Sequence, residues 1–300
     1  MKIFKSIYPE KINQGEMHRY LLSAIAPRPI CFASTIDKKG RVNLSPFSFF
    51  NVFSSNPPIL IFSPSRRGRD NSIKHTLENV KEVNEVVVNT VNYSMVNQMA
   101  LSSADFAKGI NEFEKAGLTP IQSEFVLPPR VAESPASFEC KVKQILPLGE
   151  GPGAGNLVIA EVILMHFQQD YLDKENQLIT TSMDLVARMG DEWYSRATKD
   201  SLFSLPKPTG KLGMGIDNLP EYVRNSSVLT GNDLGELGNL SHLPSQNILE
   251  EAQREPRVQE LFEKTLPQRE IEFHLLAQKI IRNGNPQLGL SILILSEQKK

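Results

Sequence analysis

The stretch that decides the fold is residues 43–51, N-L-S-P-F-S-F-F-N. It has the apolar content of a buried strand, but Pro46 and two serines interrupt it. Because proline cannot donate to a strand ladder, the chain here leaves its sheet or lies at the edge of the sheet. Backbone amides freed in this way need other acceptors, and a bound ligand is one. The alternative is a β-bulge with serine turns and core phenylalanines, which is common beside barrel rims.

Strand-like segments surround this stretch. Residues 30–36 and 41–45 form a hairpin across the turn at 37–40, and further strands are predicted at 59–62, 86–91, 137–146 and 156–168. Helices are predicted at 12–25, 92–101 and 110–116, and another is predicted to open at Asp70, Asn71 and Ser72, which are all N-cap residue types. The glycine-rich residues 149–155 join two strands, so they are not a dinucleotide-binding fingerprint. This order predicts a mainly β protein with α-helices, an antiparallel barrel with peripheral helices.

Composition narrows the possible functions. The 300 residues are 40% hydrophobic and 22% charged, with a formal net charge of −1, which argues against a nucleic-acid partner. We expect no membrane span, and the N-terminus has no signal-peptide pattern, so the default location is cytoplasmic. Cys31 and Cys140 lie in strand-like runs and are interpreted as buried apolar residues. The five histidines have no ligand spacing, so no metal site is predicted.

The last third of the chain differs from the rest. A linker composition at residues 205–210 predicts one domain over 1–205 and a partly helical C-terminal extension over 206–300, which packs on the barrel or on a dimer. Residues 245–283 have a helical pattern, with an apolar stripe that includes Ile271, Leu275, Ile280 and Ile281. The apolar run at 288–295 must be covered, and we expect the barrel or a second subunit to cover it.

Several ordered blocks carry a family resemblance. Residues 26–58, APRPICFASTIDKKGRVNLSPFSFFNVFSSNPP, resemble the signature of the flavin-reductase-like FMN-binding split-barrel family, which includes flavoredoxin-like proteins and those of the nitrilotriacetate monooxygenase component B type. Further blocks are similar in order and spacing: 62–63 (FS), 69–79 (RDNSIKHTLEN), 85–92 (EVVVNTVN), 112–120 (EFEKAGLTP), 134–142 (SPASFECKV), 161–167 (EVILMHF) and 184–190 (DLVARMG). The resemblance covers about residues 1–205.

The resemblance implies a six-stranded Greek-key split β-barrel that binds FMN non-covalently, as a homodimer with the flavin near the subunit contact. The residues carried over to the isoalloxazine and ribityl chain are Ser34, Thr35, Asn43, Ser45, Pro46, Phe47 and Ser48. Ser63, Arg69, Asn71 and Ser72 would hold the phosphate, with Arg69 as the cation. Relatives commonly have Lys-Asp-Thr here, in the register of residues 70–72 or a neighbouring one. The alternative without a ligand is that residues 69–72 only cap a helix and carry exposed charges.

Two more residues are candidates on the same grounds. His166 matches a position that in the family lies near the flavin or the nicotinamide, although a lone strand histidine is often structural. Arg188 could favour the anionic reduced flavin, and its alternative is a surface salt bridge.

The leading function is an FMN-dependent oxidoreductase that passes hydride from NADH or NADPH to the flavin. Electrons then go to free flavin, to a quinone-like or metal acceptor, or to a partner monooxygenase. No acid–base pair is required, because the cofactor does the chemistry. The alternative is a non-catalytic FMN-binding or storage protein, and a third possibility is that residues 206–300 dock a partner or cap a dimer.

Overall fold

The computed structural model describes residues 2–205, 210, 212–265 and 267–297. The chain divides into two compact units, Met1–Phe203 and Ser204–Lys300. Pro206, Lys207, Pro208 and Thr209 of the predicted linker lie outside the described residues. The predicted domain boundary therefore stays a prediction.

The first unit is built on a seven-stranded antiparallel sheet. The strands of this unit are β1 (Arg28–Pro29), β2 (Cys31–Ile36), β3 (Val42–Phe47), β4 (Phe50–Ser55), β5 (Pro58–Phe62), β6 (Glu85–Thr90), β7 (Pro120–Ile121), β8 (Arg130–Val131), β9 (Ala136–Pro147), β10 (Asn156–Phe167), β11 (Val186–Arg188) and β12 (Tyr194–Arg196). The large sheet has the order β3-β2-β6-β9-β10-β5-β4, while β1-β11-β12 and β7-β8 form two small sheets. The resemblance implied six strands, and the sheet has seven.

The deciding stretch links the two edges of that sheet. β3 and β4 are the outermost strands on opposite sides, yet only Ser48 and Phe49 separate them in sequence. The sheet must therefore curl until its two edges meet at this link. No hydrogen-bonded ladder joins β3 to β4 within the described residues, so the barrel remains split. Pro46 pairs opposite Phe32 in the edge strand β3, which confirms the edge position predicted for this proline.

The hairpin and the long strands also confirm the sequence predictions. β2 and β3 pair in register around the turn, with Ile36 opposite Val42. β9 and β10 pair along their length, and the glycine-rich segment lies between them, as expected for a strand-to-strand connection. The barrel interior contains both cysteines, and Cys31 and Cys140 are free and buried, as interpreted from sequence. Burial raises the pKa of both thiols, so neither is a reactive nucleophile.

The described residues of the first unit include four α-helices: α1 (Gln14–Ala24), α2 (His75–Glu82), α3 (Val96–Ser102) and α4 (Glu112–Ala116). α4 ends at Gly117, whose φ is 65°, so the glycine takes the left-handed position expected for it. α2 corrects one prediction, because it does not open at Asp70, Asn71 and Ser72. It begins at His75, with Lys74 as N-cap and no side-chain capping bond. Asp70 instead accepts hydrogen bonds from the backbone N and the Oγ of Ser72, which form a local turn.

The second unit is helical. Its helices are α5 (Glu221–Arg224), α6 (Gly231–Gly238), α7 (Gln246–Arg254), α8 (Pro256–Phe262), α9 (Gln268–Arg282) and α10 (Pro286–Glu297). Its core is a single apolar cluster drawn from residues 214–295. The run at 288–295 is the middle of α10, and side chains of this same unit cover it. The expectation that the barrel or a second subunit must cover it was therefore wrong.

The apolar stripe predicted on the long helix is also partly wrong. Ile280 and Ile281 are buried in α9, but Ile271 and Leu275 are about half exposed. The buried face is completed by Phe273, His274 and Ala277 instead.

None of the helices in the described part of the chain has both the length and the apolar character needed to cross a membrane. Among the same residues, no group of three or more His, Cys, Asp or Glu side chains is arranged to hold a metal ion.

Candidate functional site

The loop between β5 and α2, residues 63–74, borders two hollows of the first unit. We call it the cationic loop, because it carries Arg66, Arg67, Arg69 and Lys74. The first hollow, here the edge hollow, lies beside β3 and is lined by Asn43, Ser45, Pro46, Arg67, Lys74, His75, Ser103, Ala104, Asp105, Phe106 and Glu112. The second, here the apolar cavity, is lined by Gln14, Gly15, Met17, His18, Leu21, Phe49, Ser63, Ser65, Arg66, Gly68, Leu148, Gly153, Gly155 and Leu157.

Lys74 is the least compensated cation of the edge hollow. Among the described residues it forms no ion pair, and its ammonium lies 5.4 Å from the centroid of the Phe47 ring. Burial, together with the nearby positive charge of Arg67, lowers the pKa of Lys74. A partly buried ammonium group without an anionic partner can bind an anionic ligand favourably.

Arg67 is the second cation of the edge hollow, and it is held in place. Its guanidinium donates to the Ile73 carbonyl at 2.8 Å, to Ser72 Oγ at 3.1 Å and to Asp105 Oδ1 at 3.2 Å. Fixed donors of this kind suit the oxygens of a phosphate.

The first turn of α2 adds backbone donors to the edge hollow. Helix amides at an N-terminus have no intrahelical acceptors, and α2 has no side-chain cap to satisfy them. His75, the first residue of α2, lines the edge hollow together with Lys74. The helix N-terminus and the two cations therefore concentrate positive potential at one end of the edge strand β3.

Two carboxylates, Asp105 and Glu112, also line the edge hollow. Asp105 accepts from Arg69 Nη1 at 2.7 Å as well as from Arg67. Although burial opposes it, the hydrogen bond from Arg67 and the charge of Arg69 hold the pKa of Asp105 below its usual value. Glu112 is 4% exposed and accepts a hydrogen bond from the Leu44 amide at 2.9 Å. Burial raises the pKa of Glu112.

The free volume of the edge hollow is about 20 Å³, whereas that of the apolar cavity is about 700 Å³. A phosphate would therefore lie at the mouth of the edge hollow, beside Arg67 and Lys74, and not wholly inside it. The apolar cavity has the size and the mixed lining of a typical small-molecule site. Its residues come from α1, the link residue Phe49, the cationic loop, the segment after β9, and β10.

Hydrogen bonds join the cationic loop to the glycine-rich segment. Arg66 N donates to the Ala154 carbonyl at 2.9 Å, Gly153 N donates to the Arg66 carbonyl at 3.1 Å, and Asn71 Nδ2 donates to the Glu150 carbonyl at 3.0 Å. The Arg66 side chain is fixed in turn by Asn71, whose Oδ1 accepts from Arg66 Nε at 2.7 Å. The two segments thus support one wall of the apolar cavity together.

The structure brings several of the predicted residues to these hollows. Asn43, Ser45 and Pro46 line the edge hollow, and Ser63 lines the apolar cavity. Asn43 Nδ2 donates to Thr76 Oγ1 at 3.0 Å, which ties β3 to the start of α2. Ser48 is half-buried in the link between β3 and β4.

Three predicted residues are buried in the barrel wall. Phe47 is in the core, with its ring centroid 5.3 Å from that of Phe62. Thr35 Oγ1 accepts from Asn79 Nδ2 at 3.1 Å, and Ser34 Oγ is buried without a hydrogen-bond partner in the described part of the chain. None of the three is among the residues that line the two hollows.

The predicted phosphate residues lie on the cationic loop, but they already have partners. Arg69 is 63% exposed in its side chain and is ion-paired to Asp105 and Asp70. Asn71 has a φ of 58° and holds Arg66, while Ser72 bonds to Asp70 and Arg67. Their contribution to binding stays a prediction.

His166 and Arg188 lie away from the two hollows. His166 Nε2 is 2.8 Å from Oε1 of the fully buried Glu139. Arg188 is in the small sheet β1-β11-β12, with its guanidinium over the Tyr194 ring at 4.5 Å. Neither is among the lining residues of the edge hollow or the apolar cavity.

Sequence reasoning missed Lys74, Arg67 and Glu112. One signal was available for Lys74, because residues 74–76, Lys-His-Thr, agree with the family's Lys-Asp-Thr at the lysine and the threonine, with His75 in place of the aspartate. The helix start at His75 favours that register. Glu112 lies within the quoted block at 112–120, but the block does not show that its carboxyl faces β3.

The first unit is therefore a curled, split antiparallel barrel with Arg67 and Lys74 beside one edge strand. The family model described as "Flavin reductase like domain" matches residues 23–181, more than half of the chain. The chain belongs to this family, which confirms the resemblance.

Individual relatives agree with the family assignment. A protein of Aquifex aeolicus, described as uncharacterized, is 37% identical over 181 residues, which are 60% of this chain and 90% of that protein. Nitrilotriacetate monooxygenase component B from Bacillus cereus is 28% identical, with a TM-score of 0.64 over 68% of this chain and 100% of its own. A protein from Shewanella frigidimarina, described as a "putative flavin reductase with split barrel domain", is 25% identical, with a TM-score of 0.57 over 66% of this chain and 95% of its own. The predicted fold class is confirmed.

Proposed function

We propose that this protein is an FMN-dependent oxidoreductase of the flavin reductase type, which takes hydride from NADH or NADPH. The observation that carries the proposal is Lys74, which has no ion pair among the described residues, beside Arg67 and the uncapped start of α2 at the split edge of the barrel. This donor set fits a phosphate monoester dianion. The apolar cavity, about 700 Å³ on the other side of the cationic loop, fits a planar ring system.

The protein's own residues would position the cofactor. Lys74, Arg67 and the first amides of α2 would hold the phosphate, and Asn43, Ser45 and Ser48 would supply hydrogen bonds along the edge strand. Phe49, 41% exposed and lining the apolar cavity, would contact one face of the ring. When bound, FMN supplies the hydride-accepting chemistry.

The proposal includes partners that the resemblance implies. A homodimer is supported by the edge strand β4, in which Val52 and Phe53 are 63% and 64% exposed. A partner monooxygenase is supported by the likeness to a monooxygenase component B. A cytoplasmic location is part of the same proposal.

The cofactor site is tested with two single substitutions on the cationic loop. Lys74→Ala should weaken FMN binding by about tenfold or more, because it removes the one lysine that lines the edge hollow among the residues that the structure describes. Arg69→Ala is the matched control, since Arg69 is exposed and paired to Asp105, and its effect should be less than about threefold. Calorimetric FMN titration of both variants and the parent protein measures this. The reverse ranking would return the phosphate to Arg69.

The activity is tested by adding NADH or NADPH to the FMN-loaded protein without oxygen. Bleaching of the visible flavin band within minutes is the expected result. FMN binding with no bleaching by either nucleotide would overturn the reductase assignment and favour the storage protein. No FMN binding at all would overturn the whole proposal.

A further inference from the structure

Glu112 is a buried carboxyl in a hollow whose other features suit an anion. It is the first residue of α4, and its side chain lines the edge hollow together with Arg67 and Lys74. Only 4% of the residue is exposed. A carboxylate this well buried, without an ion pair among the described residues, is unusual. A phosphate-binding role for the hollow does not by itself explain why this carboxyl is buried there.

The hydrogen bond of Glu112 shows what the carboxyl does in the fold. Oε2 accepts from the amide of Leu44 at 2.9 Å. Leu44 belongs to β3, whose outer edge has no neighbouring strand in the described sheet. Glu112 therefore satisfies an edge amide, and a neutral carboxyl or amide oxygen can do this as well as a carboxylate.

Charged groups from three elements line the edge hollow with Glu112, and Lys108, also on the loop before α4, is paired to Glu78 of α2. The cationic loop contributes Arg67 and Lys74, α2 contributes His75, and the loop before α4 contributes Asp105. β3 and α3, which pack directly on α4, contain no titratable side chain. Within α4 itself, Glu114 and Lys115 are exposed. Asp105 is already neutralised by its two arginines, so Glu112 is the carboxyl left to respond to a new anion.

We propose that Glu112 takes up a proton from solvent when the phosphate of FMN binds at the mouth of the edge hollow, so that flavin affinity is coupled to pH. A phosphate dianion beside Lys74 and Arg67 adds two negative charges near a carboxylate that burial already disfavours. Protonation removes this repulsion and keeps the Leu44 hydrogen bond. The inference rests on the proposed function, because it needs the phosphate in this hollow.

The test is FMN titration at several pH values between about pH 7 and about pH 8.5, above the ordinary ranges of His75 and of the phosphate. For the parent protein, the dissociation constant should rise about fivefold or more across this range. Glu112→Gln keeps an acceptor for Leu44 and has no proton to gain. Its dissociation constant should change by less than about twofold. Glu114→Gln, on the exposed side of the same helix, should behave as the parent does.

Calorimetry in buffers of different ionisation enthalpy gives a second readout, since it counts protons taken up. For each FMN bound, the parent protein should take up a large part of about one proton from the buffer. Glu112→Gln should take up none. An equal pH dependence in the parent and in Glu112→Gln would overturn the inference, because Lys74 would then be its source. A parent with no pH dependence would overturn it too. If FMN binds to none of the variants, the proposed function itself has failed, which is a distinguishable result.

Discussion

The two units of this chain differ in how they bury apolar and polar side chains. Among its described residues, the helical unit has one apolar cluster and few buried polar residues, which are Asp233, His274, Ser291 and Ser296. The barrel unit has two clusters, one inside the sheet and one under α3 and α4, with many buried polar groups between them.

The unit with many buried polar groups is also the unit to which we assign ligand binding. Every charged or polar group that we assign to ligand binding lies in the barrel unit, which also contains the whole region matched by the family model. The helical unit closes its own core around α10 and needs no cover for the run at 288–295. We infer that flavin binding depends on the barrel unit alone.

Separating the two units should give the largest difference in FMN binding. We expect a chain of residues 1–203 to bind FMN with an affinity within about threefold of the full-length value, and a chain of residues 204–300 not to bind it. Fluorescence titration of FMN with each purified fragment measures this, and circular dichroism shows whether each fragment is folded. A folded fragment 1–203 that no longer binds FMN would show that the helical unit takes part in the site.

Within the barrel, the buried Glu139 should be costly to neutralise. Its carboxylate accepts from the amides of Glu124 at 2.8 Å and Phe125 at 2.7 Å, and from His166. Glu139→Gln should lower the free energy of unfolding in urea by about 3 kcal/mol at neutral pH. Glu124→Gln, whose carboxylate is exposed and 4.0 Å from His166, should lower it by less than about 0.5 kcal/mol.

The same residue gives a pH prediction. Burial works against it, but the two backbone amides and His166 hold the pKa of Glu139 below its usual value. A carboxyl whose pKa is lower in the folded state stabilises the folded protein at pH values above its unfolded pKa of 4.5. That stabilisation is lost as the pH falls through the pKa of the folded state. The difference between the parent protein and Glu139→Gln should therefore shrink in acid. A difference that stays constant from neutral pH to about pH 3 would contradict the assignment.

The helical unit should respond to a smaller change in packing. A Cβ at Gly289 would lie 2.4 Å from Ile281 Cγ1 and 3.2 Å from the Ala277 carbonyl, where α9 and α10 meet. Gly289→Ala should destabilise this unit by about 1–2 kcal/mol, since overpacking outweighs the gain in helix propensity. Gly235→Ala, in α6 with no heavy atom within 4 Å of its new Cβ, should instead stabilise it by up to about 1 kcal/mol.

Hydrogen exchange in peptides from α9 and α10, at one fixed pH, measures both glycine variants. Protection should fall in Gly289→Ala and should stay equal or rise in Gly235→Ala. Equal protection in both variants would mean that the two helices do not depend on this close approach.

Local patterns were enough to predict much of the barrel. The β2–β3 hairpin, the paired strands β9 and β10, and Gly117 at the end of α4 follow from strand formers, turn residues and a left-handed glycine. Pro46 lies at an edge, one of the two positions predicted for it, because a missing donor restricts proline in any antiparallel sheet. The family blocks then supplied the order in which these pieces assemble.

The remaining features depend on contacts that no local pattern encodes. Asp70, Asn71 and Ser72 are good N-cap types, yet the same side chains can bond to their own backbone, and here Asp70 closes a local turn instead. The run at 288–295 shows no polar face, which is typical of a helix buried on all sides, but sequence does not identify its cover. Lys74, Arg67 and Glu112 meet only because α2, the cationic loop and α4 all pack at the edge of β3.

The central claim is that the phosphate of a flavin binds at Lys74, and comparison of FMN with riboflavin tests it most directly. The two ligands differ only in the phosphate, so their affinity ratio isolates its contribution. We predict that the parent protein and Arg69→Ala bind FMN about a hundredfold more tightly than riboflavin, and that Lys74→Ala loses most of this preference. A Lys74→Ala protein that keeps the full preference for FMN would contradict the account.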